Sequence, residues 1–240
     1  MAGLSQRFID AGYDSPKYML DLNGRSVFAN AVGSFSAYFD ELQFLFVARP
    51  IHQTADFIEQ ECEKLGMRQF RTVMLQAPTA GQAQTIELGL QAGGVSADIP
   101  LTIFNIDTFR PGFRFPRGAW WPNSDGYLEV FHGSGANWSY VRPSPGDEPL
   151  VLETAEKRPI SDLCCTGLYH FGRAGLFHEA MAAERAAPSA AELYVAPIYN
   201  HIIARGNRIH YELVDQREVV FCGVPVEYEA LRSYTSPQKV

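Results

Sequence analysis

The sequence lacks the marks of a membrane protein and of a secreted protein. No run of about 18 apolar residues occurs in its 240 residues, so no transmembrane helix is predicted. The first residues show no basic region followed by an apolar stretch, so no signal peptide is predicted. The four cysteines form no CxxC pair, and the adjacent Cys164 and Cys165 suit neither a disulfide nor a zinc site. We therefore expect reduced thiols and a cytoplasmic protein.

The sequence is also poor in positive charge. Lysine and arginine number 20 against 27 aspartates and glutamates, which gives a formal net charge of −7. Nonspecific binding to nucleic acid or to an anionic membrane is therefore not expected. The phosphate-binding motifs GxxxxGK(S/T) and GxGxxG are absent. An acidic protein that handles anionic ligands has to gather its positive charge at one place.

Apolar patterns alternate between strand and helix in the first hundred residues. This alternation favours parallel βαβ units, whose ligands bind beyond the carboxyl ends of the strands. The opening loop, QAPTAGQ and NIDTF all fall at such ends. The predicted strands are 44–48, 71–76, 99–107, 127–131, 138–143, 150–157 and 218–225. The predicted helices are 27–39, 81–92, 174–186 and 192–205, and a further helix begins with Thr54 as its cap.

The composition changes near residue 110. The segment RPGFRFPRGAWWPNSDG is rich in proline, glycine and aromatic residues and has no clear period, which is typical of a loop or flap. We predict one domain over 1–232 with halves 1–109 and 110–232, followed by a tail over 233–240. The second half carries a small inserted lobe. The WWP segment leaves room for a contact in a homo-oligomer.

The residues alone leave the function of three short segments open. In Gly3-Leu4-Ser5-Gln6-Arg7, a glycine turn presents backbone N–H groups and a guanidinium fork, which suit phosphate, although such turns are usually structural. Asp107 ends an apolar strand, where a carboxylate is either a Mg²⁺ ligand or a turn cap. The Glu156-Lys157 pair, taken by itself, is better read as the solvated surface of a strand.

In order along the chain, the motifs resemble the sugar-phosphate nucleotidyltransferases, the family of glucose-1-phosphate thymidylyl-, cytidylyl- and uridylyltransferases. MAGLSQRFIDAGYDSPK resembles their opening motif, QAPTAGQAQT their base-binding segment and NID their metal-binding aspartate. AEKRPISDLCCTGLYHF, ELYVAPIYNHII and FCGVPVEY resemble their sugar-binding and late elements, so the matches span residues 1 to about 228. The resemblance implies a Rossmann-like, GT-A-type α/β fold with a mixed, mainly parallel sheet flanked by helices.

The resemblance also implies residue roles on the nucleotide side. Arg7 would hold the departing pyrophosphate, Lys17 would contact phosphate at the reacting centre, and Asp107 would bind Mg²⁺. The residues that would contact the nucleotide are Ala2, Gly3, Leu4, Gln76 and Gly81, of which the last two would read the base edge.

On the acceptor side, the resemblance implies that Glu156 takes sugar hydroxyls and that Lys157 takes the sugar phosphate. Gly167 and Glu192 complete the implied acceptor site. The implied reaction is attack of an acceptor phosphate on the α-phosphorus of an NTP with release of pyrophosphate. The implied role is capsule or surface polysaccharide synthesis, and the base and the acceptor stay open.

The sequence departs from the family pattern at three places. Leu4-Ser5-Gln6 replaces a glycine-richer loop, and Phe221 replaces a late metal-binding aspartate, for which Glu192 or Asp215 are alternative carboxylates. Family members carry an apolar strand before the glycine loop, so we expect apolar codons in frame upstream of Met1.

Two other functions stay open at this stage. A GT-A-type glycosyltransferase shares the sheet and the strand-end aspartate, but it typically uses DxD, whereas this chain has Asn105-Ile106-Asp107. A nucleotide-binding protein without catalysis is favoured by Phe221. Trp138 and Tyr140 are either packing residues or the lining of a pocket for an unusual acceptor.

Overall fold

The computed structural model describes residues 1, 3, 5–118, 120–190 and 192–233. The predictions for Ala2, Leu4 and the tail beyond Ser233 fall outside these residues. No described helix is long and apolar enough to cross a membrane. The helices are α1 (Gln6–Asp10), α2 (Val27–Gly33), α3 (Thr54–Lys64), α4 (Gln82–Ala92), α5 (Ala174–Ala186), α6 (Val195–Ile203) and α7 (Pro225–Ser233). The strands are β1 (Asp21–Leu22), β2 (Arg25–Ser26), β3 (Phe44–Ala48), β4 (Phe70–Met74), β5 (Leu101–Phe104), β6 (Thr108–Phe109), β7 (Gly126–His132), β8 (Ser139–Pro143), β9 (Val151–Glu156), β10 (Leu163–Phe171), β11 (Ile209–Leu213) and β12 (Val220–Phe221).

The elements form two compact units, each discontinuous in sequence. The first unit contains Met1–Pro78, Asn105–Arg114 and the chain from Val219 onward, and the second contains Thr79–Phe104 and Phe115–Glu218. The predicted halves 1–109 and 110–232 stay a prediction.

The first unit is built around the parallel pair β3 and β4, with β6 antiparallel to β12 and a β1–β2 hairpin. Asn23 and Gly24 form the hairpin turn with φ of 57° and 86°, as a two-residue turn between twisted strands requires. Phe28 on α2 packs at 5.1 Å between ring centroids on Phe46 of β3 and at 5.7 Å on Phe57 of α3. This aromatic packing holds α2 on β3 and α3 on α2.

The second unit holds a six-stranded sheet in the order β11-β7-β10-β8-β9, with β5 also paired to β10. Every residue of β10 is buried, as expected for a central strand. Tyr199 of α6 stacks on Phe171 of β10 at 4.3 Å. Asn200 of α6 exchanges hydrogen bonds with the backbone of Thr154 on β9, at 2.8 and 2.9 Å. The helix is therefore fixed to the sheet by both apolar and polar contacts.

The predicted fold class, a mixed α/β sheet flanked by helices, is confirmed. The share of parallel pairing is smaller than predicted, because only β3–β4 and β7–β11 are parallel among the described strand pairs. In the second unit, β10 is antiparallel to β5, β7 and β8. β8 is also antiparallel to β9, to which a link of seven residues joins it, as a short link between paired strands requires.

Several predicted elements are confirmed in place, above all β3 at 44–48 and α5 at 174–186. The predicted helix 27–39 is wrong beyond Gly33, where α2 ends and a 3₁₀ turn follows at 36–38. The predicted strand 99–107 ends at Phe104, so Asp107 lies in the turn between β5 and β6. The predicted strand 218–225 is reduced to Val220–Phe221, because Pro225 has no N–H for a sheet and starts α7 instead.

Candidate active site

Two of the three residues predicted to be catalytic are in contact. The Nζ of Lys17 donates a hydrogen bond to Oδ2 of Asp107, and the two form an ion pair. The side chains are 22% and 20% exposed, so the pair is half-buried but open to ligands. A cation and a carboxylate from segments 90 residues apart therefore meet in the first unit.

Arg7 lies in α1, and the loop after this helix leads to Lys17. Ser5, in the left-handed region at φ 52°, accepts at its Oγ a 3.3 Å hydrogen bond from the backbone N–H of Lys17. Phe8 is 1% exposed and packs edge-on against Tyr13 at 5.4 Å, which anchors the short helix α1. Arg7 is exposed and makes no hydrogen bond or ion pair with any residue that the structure describes. Its guanidinium is thus available to a ligand.

The backbone around Asp107 is fixed by the β6–β12 pair. Phe221 pairs with Thr108, the residue after Asp107, and the N–H of Cys222 donates to the carbonyl oxygen of Asp107 at 2.8 Å. The position at which the family resemblance places a second metal-binding aspartate is therefore next to Asp107, and here it holds Phe221. Gly223 follows directly, and a Cβ on it would lie 3.2 Å from Oδ2 of Asp107.

A second carboxylate, that of Glu227, lies at the same glycine. Its Oε2 accepts hydrogen bonds from the N–H groups of Gly223 and Val224 at 2.7 and 3.2 Å, so it caps the first turn of α7. A Cβ on Gly223 would lie 3.7 Å from this oxygen. Burial raises the pKa of the Cys222 thiol to about 12, and Asp107 and Glu227 add to the rise. Cys222 is therefore a neutral, buried thiol.

The donor set around Asp107 fits Mg²⁺ only with help from a substrate. No group of three His, Cys, Asp or Glu side chains in the described parts of the chain could hold a metal ion. Mg²⁺ in phosphoryl-transfer enzymes, however, takes one or two carboxylates together with substrate phosphates and water. Asp107, accessible and flanked across Gly223 by Glu227, meets that requirement.

The two residues predicted to read the base differ in their surroundings. Gln76 is exposed just beyond the carboxyl end of β4 and makes no hydrogen bond within the described chain. Gly81, in the second unit, has φ 145°, and a Cβ on it would lie 2.5 Å from the carbonyl oxygen of Leu193. Leu193 also bonds to Ala80 and Ala83, at 2.9 Å each. Gly81 is thus required for the close packing of these two segments, whatever its role toward a base.

The second unit brings together three of the four residues predicted to bind the acceptor. Oε2 of Glu156 accepts a hydrogen bond from Ser139, and burial raises the pKa of Glu156. Nζ of Lys157 donates to Oη of Tyr194 at 2.6 Å, and Oη of Tyr194 donates to Oε2 of Glu192 at 2.6 Å. The group presents one ammonium and two carboxylates, which suits a phosphate that carries hydroxyl groups.

The fourth predicted residue, Gly167, is buried in β10. Its φ of 99° coincides with the register shift between Cys165 and Tyr169 opposite β7. A glycine suits this bulge because other residues rarely adopt positive φ. Trp138 packs edge-on against Phe131 at 5.1 Å, and Tyr140 is fully buried, so both serve the packing of the sheet.

Three residues of this arrangement were missed by the sequence reasoning. Tyr194 lies two positions after the predicted Glu192, but no sequence motif indicates a role for its hydroxyl group. Glu227 stands two residues after Pro225, a spacing typical of the first turn of a helix, and this signal was available. Ser139 becomes a partner of Glu156 only because β8 pairs with β9, which places the two residues opposite each other.

Comparison with solved structures shows a close relative. The nucleoside-diphosphate-sugar pyrophosphorylase from Vibrio cholerae RC9 is 48% identical, with 97% of this chain and 98% of that chain covered and a TM-score of 0.92. Neither a protein-family model nor a curated protein matches the sequence.

Two more distant structures share the fold. The inositol-1-phosphate CTP transferase from T. maritima is 13% identical, with 97% and 92% of the two chains covered and a TM-score of 0.70. The UDP-glucose pyrophosphorylase from Acinetobacter baumannii is 14% identical, with 96% and 89% covered and a TM-score of 0.67.

Proposed function

The chain belongs to the nucleoside-diphosphate-sugar pyrophosphorylase family of sugar-phosphate nucleotidyltransferases, and from that membership we propose its reaction in detail. It transfers an NMP from an NTP to a sugar phosphate or a related phosphorylated metabolite and releases pyrophosphate. The observation that carries this proposal is the contact of Lys17 with Asp107 in the first unit. An accessible cation and an accessible carboxylate at one point can receive a phosphate chain and its metal together.

The proposed step is a single in-line displacement. An acceptor phosphate oxygen forms a bond to the α-phosphorus, the bond to the β-phosphate oxygen breaks, and its electron pair leaves with pyrophosphate. Lys17 exchanges its bond to Asp107 for one to phosphate and stabilises the charge that develops there. Arg7, exposed and unpaired among the described residues, holds the departing pyrophosphate with its planar fork of donors.

A divalent metal, Mg²⁺ in this proposal, neutralises charge on the phosphate oxygens when it is bound. Asp107 would hold it, and Glu227 lies across Gly223 from that carboxylate. In the second unit, Lys157 binds the acceptor phosphate, and Glu156 and Glu192 accept hydrogen bonds from acceptor hydroxyls. Holding each substrate in a fixed orientation lowers the barrier.

The proposed cellular role is activation of an acceptor for capsule or surface polysaccharide synthesis in the cytoplasm, where NTPs are available. All four cysteines are buried and free, in keeping with a reducing compartment.

The decisive experiment screens the four NTPs, with Mg²⁺, against a panel of glucose 1-phosphate, mannose 1-phosphate, glycerol 3-phosphate and ribitol 5-phosphate. We expect pyrophosphate release that depends on one NTP and one acceptor together. Release of a nucleoside diphosphate from a nucleotide sugar, supplied in a parallel reaction, would instead indicate glycosyl transfer. Binding of NTP without turnover on any acceptor would indicate a protein that has lost catalysis.

A further inference from the structure

Lys157 is held by a neutral group although two carboxylates are near. Its Nζ donates to Oη of Tyr194 at 2.6 Å and lies 4.6 Å from the centre of the same ring. Glu156 and Glu192 are close enough to raise the pKa of Lys157, yet the Tyr194 hydrogen bond contributes most to that rise. No carboxylate of the described residues is within ion-pair distance of Nζ. The charge of the ammonium is therefore not cancelled by direct pairing.

The direction of the hydrogen bonds explains how this arrangement persists. Tyr194 has a single hydroxyl proton, which it donates to Glu192 at 2.6 Å, so it can only accept from Lys157. The phenol oxygen thus stands between the ammonium and the carboxylate, bonded to both. An ammonium has three protons, and the bond to Tyr194 uses one of them, which leaves donors for a phosphate.

The backbone holds both ends of this chain in place. Lys157 has φ 54°, a left-handed conformation that costs energy for any residue with a side chain. Its N–H donates to the carbonyl of Trp138, just before β8, at 2.8 Å. On the other side, Tyr194 immediately precedes α6 and follows Leu193, whose backbone bonds to Ala80 and Ala83. Neither partner is free to drift, so the bond between them has a defined geometry.

We propose that Tyr194 is a positioning residue for the acceptor phosphate: its hydroxyl orients the ammonium of Lys157 and keeps it from pairing with Glu192. The inference rests on the proposed function and deepens it, because it makes acceptor affinity depend on a phenol that need not touch the acceptor. Without the hydroxyl, the long lysine side chain closes onto the nearby Glu192 carboxylate. The phosphate then has to displace an ion pair before it binds.

The test measures KM and kcat for Tyr194→Phe with the best NTP and acceptor of the panel. We expect the KM for the acceptor to rise about tenfold, since one charge-assisted hydrogen bond is lost and a competing pair forms. The KM for the NTP stays unchanged. Tyr211→Phe is the matched control, because this half-buried tyrosine of β11 makes no side-chain hydrogen bond within the described residues, and it should leave both constants unchanged.

Glu192→Gln separates positioning from a merely structural effect. In the Glu192→Gln background the carboxylate bonded to Tyr194 is absent, and the remaining one, Glu156, is held by Ser139. Adding Tyr194→Phe should therefore raise the acceptor KM less than threefold. An equal factor in both backgrounds, an unchanged acceptor KM, or a parallel rise in the KM for the NTP would each contradict the inference.

Calorimetry with the same sugar and polyol phosphates and the wild-type protein distinguishes failure of the proposed function from failure of the Tyr194 inference alone. A wild-type protein that neither binds nor uses any of them contradicts the proposed function and this inference with it. Turnover by the wild type with an unchanged Tyr194→Phe variant contradicts the inference alone.

Discussion

Asp107→Asn is the substitution that most sharply separates chemistry from folding in this site. The amide keeps the shape of the carboxylate but removes its charge, so Lys17 loses its ion-pair partner and a metal loses its ligand. Because both side chains are about one-fifth exposed, solvent screens the pair in the absence of ligand. Such pairs contribute about 0.2–1 kcal/mol to folding. We therefore expect the free energy of unfolding to change by less than about 1 kcal/mol.

Turnover should respond much more strongly than stability. In the reacting complex the same carboxylate would hold the metal that neutralises the phosphate charge, and loss of one electrostatic stabiliser of this kind costs about 3–4 kcal/mol. At 1.36 kcal/mol for each factor of ten, this loss corresponds to a fall in kcat of a few hundredfold.

The assay pairs the rate of pyrophosphate release with urea denaturation of the same sample. Asp162→Asn is the matched control, because this carboxylate is 72% exposed and pairs only with His132 among the described residues, so it should leave both quantities unchanged. Full turnover in Asp107→Asn would refute the assigned role. A loss of several kcal/mol in stability would show that Asp107 is structural instead.

Three further substitutions test other parts of the account. Gly223→Ala places a Cβ 3.2 Å from Oδ2 of Asp107 and forces a shift of a few tenths of an ångström, so turnover should fall about tenfold with little change in melting temperature; unchanged turnover would contradict this. Gly81→Ala places a Cβ 2.5 Å from the carbonyl oxygen of Leu193 and should lower the unfolding free energy in urea by about 2 kcal/mol or more; an unchanged midpoint would contradict this. Burial lowers the pKa of His170 to about 4, below the 6.5 of the unfolded chain, so its contribution to stability is complete above pH 6.5 and is lost as the pH falls toward 4. In His170→Gln, the fall in the free energy of unfolding between pH 6.5 and pH 4 should be smaller by roughly 3 kcal/mol. An identical pH dependence in the variant would contradict the lowered pKa of His170.

The fold was predictable where local pattern and burial agree. The run FLFVA and the helix at 174–186 are confirmed, because 5 apolar residues have the length of a buried strand and 13 residues have the length of a helix. Strand direction in the second unit was not predictable, because it depends on which strands become neighbours. β7 and β8 are consecutive in the chain, yet each pairs with β10 and not with the other. The helix from Pro225 was missed because the apolar run before it dominates the pattern, although the proline itself was the signal.

The residues of the site that belong to sequence motifs were predictable. Lys17 and Asp107 were named from motif order, and the structure brings them together although nothing in the chain between them encodes the contact. Tyr194 could not be named, since its role comes from lying between Lys157 and Glu192 in space. The predicted roles of Arg7, Gln76 and the acceptor residues stay predictions, because their partners are ligands.

Following the phosphorus atoms of the NTP tests most directly the proposal that the protein transfers an NMP to an acceptor phosphate and releases pyrophosphate. The protein is incubated with Mg²⁺, the preferred acceptor, and NTP labelled at either the α- or the γ-phosphorus. The account predicts that the α-label appears only in a nucleotide joined to the acceptor, and the γ-label only in pyrophosphate, with no transfer when the acceptor is omitted. Appearance of the α-label in free NMP or NDP, at an equal rate with or without the acceptor, would contradict it.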